Sequence, residues 1–317
     1  MFLSTQDGLK SGLPDGPPGS PPGGPTKGSP RGPSTGSQNE FLENFFEIAF
    51  SILYIGDDSG IIDSSKNLRV LWTRALLSSL GKINDPIAFE LLPTKTRWIV
   101  SPNLASFWEG PGSQVVDKLD WIVKRTQFID EQLDSFINQL NGKGQIIVLG
   151  SGYDTRALRY NHMKELTFFE IDLTDISSMK KQMIQRYRNG KGNHELKNED
   201  QQVFIPFDLN TVSTKKESLI GTLKASGLKE GIPTMVICEA VLFYLIPDAA
   251  KKIVSELFEF PMTRYCITDN LSKLGVAPGP PVPTPREKCE SWLNKNDKEL
   301  ITHDAIWGGA IHFVAAK

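Results

Sequence analysis

Cysteine is scarce in this chain. Only Cys238, Cys266 and Cys289 occur among 317 residues. Their number is odd and their spacing wide, which matches neither a disulfide framework nor a linear zinc motif. No metal is expected from that pattern, and a reducing, cytoplasmic setting is. Long apolar runs are missing too. None approaches the roughly 20 residues that cross a bilayer, and the first residues lack the apolar stretch of a signal peptide. Neither sign of charge is in large excess, with 35 Lys and Arg against 37 Asp and Glu. That balance gives no overall pull toward nucleic acid or an anionic membrane, so neither is expected as a partner. No internal repeat is present.

Residues 1–38 are rich in Gly, Pro and Ser. They have too few apolar side chains to offset the entropy of ordering, so a disordered N-terminal segment is expected. Residues 39–317 are expected to form one domain, and hydrophobic residues, 39% of the chain, suffice for its core. The first part of this domain reads as helical. Phe41, Phe45, Ile48, Ile52 and Leu53 share one helical face. A second helix runs over Lys66–Leu80 to Gly81, Asp85-Pro86 opens another turn or helix, and an amphipathic helix covers Asp117–Leu140. Beyond Gly144 short apolar runs alternate with helical stretches. Strands are predicted at Gln145–Leu149, Thr167–Asp172, Gln202–Phe207, Thr234–Cys238, Arg264–Thr268 and Ile311–Ala315. Strands separated by helices imply a parallel sheet covered on both faces. Five prolines between Pro278 and Pro285 require an extended loop, and Trp307-Gly308-Gly309 reads as a tight turn into the last strand.

The chemistry concentrates at strand ends. Gly150-Ser151-Gly152 stands where the first strand gives way to a helix, and glycine there allows a sharp turn and close approach of a ligand. A dinucleotide fingerprint needs a third glycine where Thr155 stands, so a nicotinamide-dependent oxidoreductase is the rival reading. Asp172 ends the second strand about 20 positions later, where a carboxylate can accept from both ribose hydroxyls. Glu170 lies on the same side of that strand, and a polar contact to a covering helix is its expected role. Asp208-Leu209 follows the third strand, where the acid can meet an adenine amino group or cap a helix. Glu239 ends the apolar run from Met235, and an acid in that place is costly unless paired or facing a ligand.

Taken together, Gly150-Ser151-Gly152-Tyr153-Asp154-Thr155-Arg156, Phe169-Glu170-Ile171-Asp172, Asp208-Leu209 and Glu239-Ala240-Val241-Leu242-Phe243-Tyr244-Leu245 resemble the leucine carboxyl methyltransferase family. The resemblance covers about Arg74 to Asn270. It implies a class I methyltransferase, Rossmann-like α/β fold, with a mostly parallel seven-stranded sheet, helices on both faces and an N-terminal helical cap. It also implies S-adenosyl-L-methionine as cofactor. The cofactor-binding residues it points to are Arg74, Arg125, Gly150, Gly152, Asp172, Asp208, Leu209 and Glu239, with Arg125 on the cofactor carboxylate and Arg74 as a second basic position. Tyr244 lines the pocket or packs. The eukaryotic members methylate the C-terminal leucine carboxylate of the protein phosphatase 2A catalytic subunit, relatives modify a transfer RNA guanosine, and bacterial relatives act on small molecules. The expected acceptor is therefore a protein C-terminus or a small molecule. The eukaryotic enzymes carry a longer insertion where this chain has only residues 271–317.

Methyl transfer from a sulfonium to a carboxylate needs no strong base, because the acceptor is already ionised near neutral pH. No catalytic residue is therefore assigned. A hydroxyl acceptor would need a base, for which His303 and His312 are the first candidates, although a structural role is expected for both. Trp98, Phe107 and Trp108 are read as core packing rather than a lid over the pocket. A member of the family that binds cofactor without turnover is the other alternative.

Overall fold

The computed structural model describes residues 64–105, 108, 119–190, 201–213, 218–279 and 282–317. The expected disordered segment 1–38 and the helix over Phe41–Leu53 lie outside these residues, as does Phe107. In chain order the main elements are helices α1 (Ser64–Ser79), α2 (Pro86–Leu91) and α3 (Asp120–Gln139), then strand β1 (Gly144–Leu149), α4 (Arg156–Arg159), β2 (Leu166–Asp172), α5 (Thr174–Arg188) and β3 (Gln202–Pro206). They continue with α6 (Leu219–Ala225), β4 (Thr234–Glu239), α7 (Pro247–Glu259), β5 (Thr263–Asp269), α8 (Pro285–Asn294), β6 (Leu300–Ile306) and β7 (Ile311–Ala316).

The strands form one seven-stranded sheet in the order β3-β2-β1-β4-β5-β7-β6. The first five are parallel, while β7 runs antiparallel to both β5 and β6. This is the class I methyltransferase sheet the sequence led us to expect. Parallel neighbours need crossover connections, and the helices that supply them cover both faces. Alternate residues of each strand point to opposite sides. Ile147, Leu149, Phe169, Val236 and Ile267 pack with Leu219, Ile253 and Leu257 from α6 and α7. Ile146, Val148, Phe168, Met235 and Cys266 pack with Ile129, Leu133 and Phe136 of α3. Strands buried on both sides explain why β1, β2 and β4 read as nearly continuous apolar runs.

Ahead of the sheet, α1 and α2 form the helical cap. Leu71, Trp72, Ala75 and Leu76 pack with Ala88, Leu91, Val100 and Trp108 against Ile176, Met183 and Ile184 of α5. Trp72 meets Trp108 edge-on with ring centroids 5.6 Å apart, so Trp108 belongs to the cap core, whereas Trp98 is exposed. Two features went unread in the sequence. Strand β6 carries Thr302, His303 and Asp304 at its centre and is only half buried, because it is the sheet edge and has no apolar run to announce it. The proline loop ends one residue earlier than expected, since Pro285 opens α8 behind a capping box of Thr284 and Glu287.

Candidate functional site

In the sheet, β1 lies between β2 and β4: the chain steps outward from β1 to β2 and β3, then crosses back to β4 on the other side of β1. Ligands of open α/β sheets bind in the crevice at such a reversal, outside the carboxyl ends of the strands. A cavity of about 450 Å³ opens there, within the usual range of ligand sites. Arg74, Arg125, Gly150, Gly152, Asp172, Asp208, Leu209 and Glu239 all line it. Their gathering follows from the topology, since each strand-end motif is delivered to the same edge.

The glycine loop has a local reason for its composition. Gly150 and Gly152 adopt φ of 54° and 45°, a left-handed region that L side chains seldom occupy. A Cβ on Gly150 would stand 2.7 Å from Cγ2 of Val241, and one on Gly152 would stand 3.1 Å from Oδ1 of Asn67. The close approach that requires glycine here is thus that of the β4 loop and of α1. Asp172 is oriented by the same loop: Gly152 N–H donates to its Oδ2 at 2.6 Å, and Leu173 N–H to its Oδ1 at 2.7 Å. Asp208 is exposed on the cavity wall, and its Oδ1 accepts from Asn210 N–H at 2.9 Å. Leu209 is buried and joins the core behind it.

Glu239 is held by cations. Its Oε1 lies 2.8 Å from Nε of Arg125, and its Oε2 accepts from Nη1 of Arg156 at 2.8 Å. Burial would raise its pKa, but Arg125 and Arg156 outweigh burial and hold the carboxyl below its ordinary value. Arg156 is fully buried and also reaches Asp154 Oδ2 at 2.6 Å and Asp130 Oδ1 at 2.7 Å. Despite its burial, those acids keep its pKa well above that of a free guanidinium. A second cluster ties the cap to the loop. Nε of Arg74 pairs with Asp85 Oδ2 at 2.8 Å, while Thr155 Oγ1 donates to Asp85 Oδ1 at 2.6 Å. Asp85 also caps α2 by accepting from Ala88 N–H.

Sequence reasoning did not foresee Asp85, Asp130 or Arg156 as parts of the site. Asp154-Thr155-Arg156 was visible as a motif, and the signal that it forms a charge network was the presence of two ionisable residues on a buried turn. Asp269, the last residue of β5, also escaped notice. Its Oδ2 accepts from the N–H groups of Val241 and Leu242 at 2.6 Å each, which fixes the segment after β4, where Ala240 takes φ of 55°. Burial, working against these donors, pushes its carboxyl up to about 6.

The donor set suits an adenosyl amino acid. Buried cations face the cavity beside α1 and α3, carboxylates stand at the ends of β2 and β3, and apolar Leu71, Ile176 and Leu209 line the wall between. Nη2 of Arg74 is buried without a hydrogen-bond partner. At Arg125 burial depresses the pKa more than Glu239 restores it. Both cations would therefore gain from an incoming carboxylate.

The family model described as leucine carboxyl methyltransferase matches residues 66–258 of this chain, a span that holds every residue singled out above except Asp269. The chain belongs to the leucine carboxyl methyltransferase family. The cofactor of that family is S-adenosyl-L-methionine, and membership sets the nicotinamide reading aside. Leucine carboxyl methyltransferase 1 of Candida albicans is 30% identical over 155 residues, which is 44% of this chain and 42% of the relative. The chain spans about half, or less, of the length of the curated relatives it matches. Among solved structures, magnesium protoporphyrin IX methyltransferase from Synechocystis PCC 6803 with bound SAM is 15% identical, with a TM-score of 0.41, covering 69% of this chain and 92% of that one. The same enzyme with bound SAH has 16% identity and a TM-score of 0.40, with 69% and 95% covered. No helix among the described residues is long and apolar enough to cross a membrane.

Proposed function

We propose that this protein transfers the methyl group of S-adenosylmethionine to a carboxylate oxygen. The observation that carries the proposal is the convergence on one cavity of Asp172, oriented by the loop it serves, with Arg125, whose burial Glu239 does not fully offset, and Arg74, whose Nη2 has no hydrogen-bond partner. In this reading Asp172 accepts from the ribose hydroxyls, Asp208 from the adenine amino group, and Arg125 with Arg74 grips the amino-acid carboxylate. Glu239, locked between Arg125 and Arg156, holds Arg125 in place and offers negative charge toward the ammonium. When bound, the cofactor supplies an electrophilic methyl on its sulfonium.

The acceptor class is argued from the cavity walls. Among the described lining residues the acids are Asp154, Asp172, Asp208 and Glu239. Arg156 overcomes burial at Asp154 and holds it well below the carboxylate range, and Glu239 is likewise held ionised by its cations. Neither is suited to take a proton at neutral pH. An acceptor that is already anionic needs none, so the protein's task reduces to alignment and exclusion of water. Phe243 and Tyr244, edge-to-face at 5.8 Å, stand at the cavity rim, largely exposed, and supply an apolar wall for the group that carries the carboxylate.

The test is methyl-labelled cofactor with peptides that end in a free carboxylate, their amidated counterparts and small carboxylic acids. We expect label on free acids only, released by mild alkali as methanol. Alkali-stable label, or equal transfer to amidated peptides, would refute carboxyl methylation. No turnover with any acceptor, together with tight cofactor binding, would favour a binding member of the family.

A further inference from the structure

The family match ends at residue 258, leaving β5, α8 and the β6–β7 hairpin outside it. In that region three side chains from three elements meet. Cys289 comes from the inner face of α8, His303 from β6 and His312 from β7. One ligand-capable atom of each lies within 4.8 Å of the other two. Nε2 of His303 faces Nδ1 of His312 at 3.0 Å. Cys289 is fully buried, His312 almost so, and His303 half-buried, so the cluster is dry on one side and open toward solvent on the other.

We propose that Cys289, His303 and His312 bind a divalent cation of borderline softness, zinc by preference, which pins α8 to the β6–β7 hairpin beside the cofactor cavity. Two imidazole lone pairs aimed at one another across 3.0 Å can coexist only with a proton between them, and a cation can take that proton's place. Tetrahedral zinc binds imidazole nitrogen at about 2.0–2.1 Å and thiolate at about 2.3 Å. Donor atoms around such an ion stand roughly 3.3–3.6 Å apart by that geometry, so the two imidazoles at 3.0 Å must part slightly and the thiol, within 4.8 Å of both, must close on them. Thiolate and imidazole together select zinc over magnesium or calcium. The surrounding charge is mixed, with Arg286 and Lys288 against Glu290 and Asp304. Nε2 of His312 is buried near Gly309, and it is the ring nitrogen that keeps a proton when Nδ1 ligates. On binding, the Cys289 thiol proton passes to solvent and the proton held between the two rings moves to the outer nitrogen of the ring that carried it. The fourth coordination position, on the His303 side, is left to water.

The position links the cluster to the site. His312 pairs across the sheet with Asp269, which holds the segment after β4. Trp307, in the hairpin turn, lies 6.0 Å from Trp121 of the cavity wall.

The experiment is a titration of the tag-free full-length chain, stripped by chelator, with cobalt(II) followed by displacement with zinc. We expect one equivalent bound, a thiolate-to-cobalt charge-transfer band bleached by zinc, and a raised melting temperature on zinc addition. Cys289→Ser should abolish the band, and His312→Gln should weaken binding at least about tenfold. Absence of saturable binding by the unsubstituted chain would overturn the proposal, whatever the folding of the variants. So would a band that persists in Cys289→Ser.

Discussion

Replacing Lys180 should reveal how the sheet tolerates an acid two residues before the cofactor-facing one. Glu170 and Lys180 lie 2.7 Å apart with side-chain exposures of 1% and 0%, out of reach of the cavity. Burial raises the pKa of Glu170, and Lys180 opposes that rise. In Lys180→Met the carboxylate loses the cation paired with it in a dry setting, and breaking such a pair costs about 3–5 kcal/mol. Combining Lys180→Met with Glu170→Gln removes the stranded charge along with its partner. That double substitution should recover most of the loss, ending within about 1–2 kcal/mol of the parent. Urea denaturation of the parent, the two single variants and the double variant at a mildly alkaline pH supplies the cycle. The Lys180→Met deficit should also shrink in acid. Its Glu170 would have a pKa raised above the unfolded value, so the folded state gains stability as pH falls through that raised pKa. Cofactor affinity should survive in the double variant. A deficit below about 1 kcal/mol in Lys180→Met, or a double variant as unstable as the single one, would refute the account.

Asp172→Ala should weaken binding of S-adenosylmethionine by at least about 10- to 100-fold, since even one of its two charge-assisted hydrogen bonds is worth about 1.5–3 kcal/mol; unchanged affinity by calorimetry would defeat the ribose role. Arg125→Ala should cost more affinity for the cofactor than for an analogue lacking its carboxylate, and equal losses would mark Arg125 as structural. Asp269 titrates at about 6 in the folded chain and at about 4 when unfolded. The folded state therefore binds more protons between those values, and stability should fall by about 3 kcal/mol as pH rises through that window. Asp269→Asn should flatten this slope; urea midpoints with the same pH dependence in both proteins would contradict it.

How much could be read in advance depended on whether a feature was local. Strands β1, β2 and β4 announced themselves because burial on both faces demands consecutive apolar residues. Gly150-Ser151-Gly152 and Asp172 could be placed because a parallel sheet carries all strand ends to one edge. Glu170 was read as a contact to a covering helix from strand parity alone, and Lys180 of α5 supplies that contact. Arg156 could not be assigned, since its partners Asp130, Asp154 and Glu239 come from three elements and no spacing rule joins them. Asp85 was legible as the start of a turn or helix because Pro86 follows it, and it does cap α2, yet it serves Arg74 and Thr155 as well. Cys289 has no cysteine or histidine near it in the sequence, and it meets His303 and His312 only where β6, itself unread, lies beside β7.

The sharing of Asp85 has a further consequence. One inaccessible carboxylate serves as helix start, counter-ion and hydroxyl acceptor at once, so lifting α1 and α2 from the sheet would break its bond to Thr155 and wet the dry Arg74–Asp85 pair. These two helices thus behave as a fixed jamb rather than a swinging door. Hydrogen exchange across α2 should stay slow with or without cofactor.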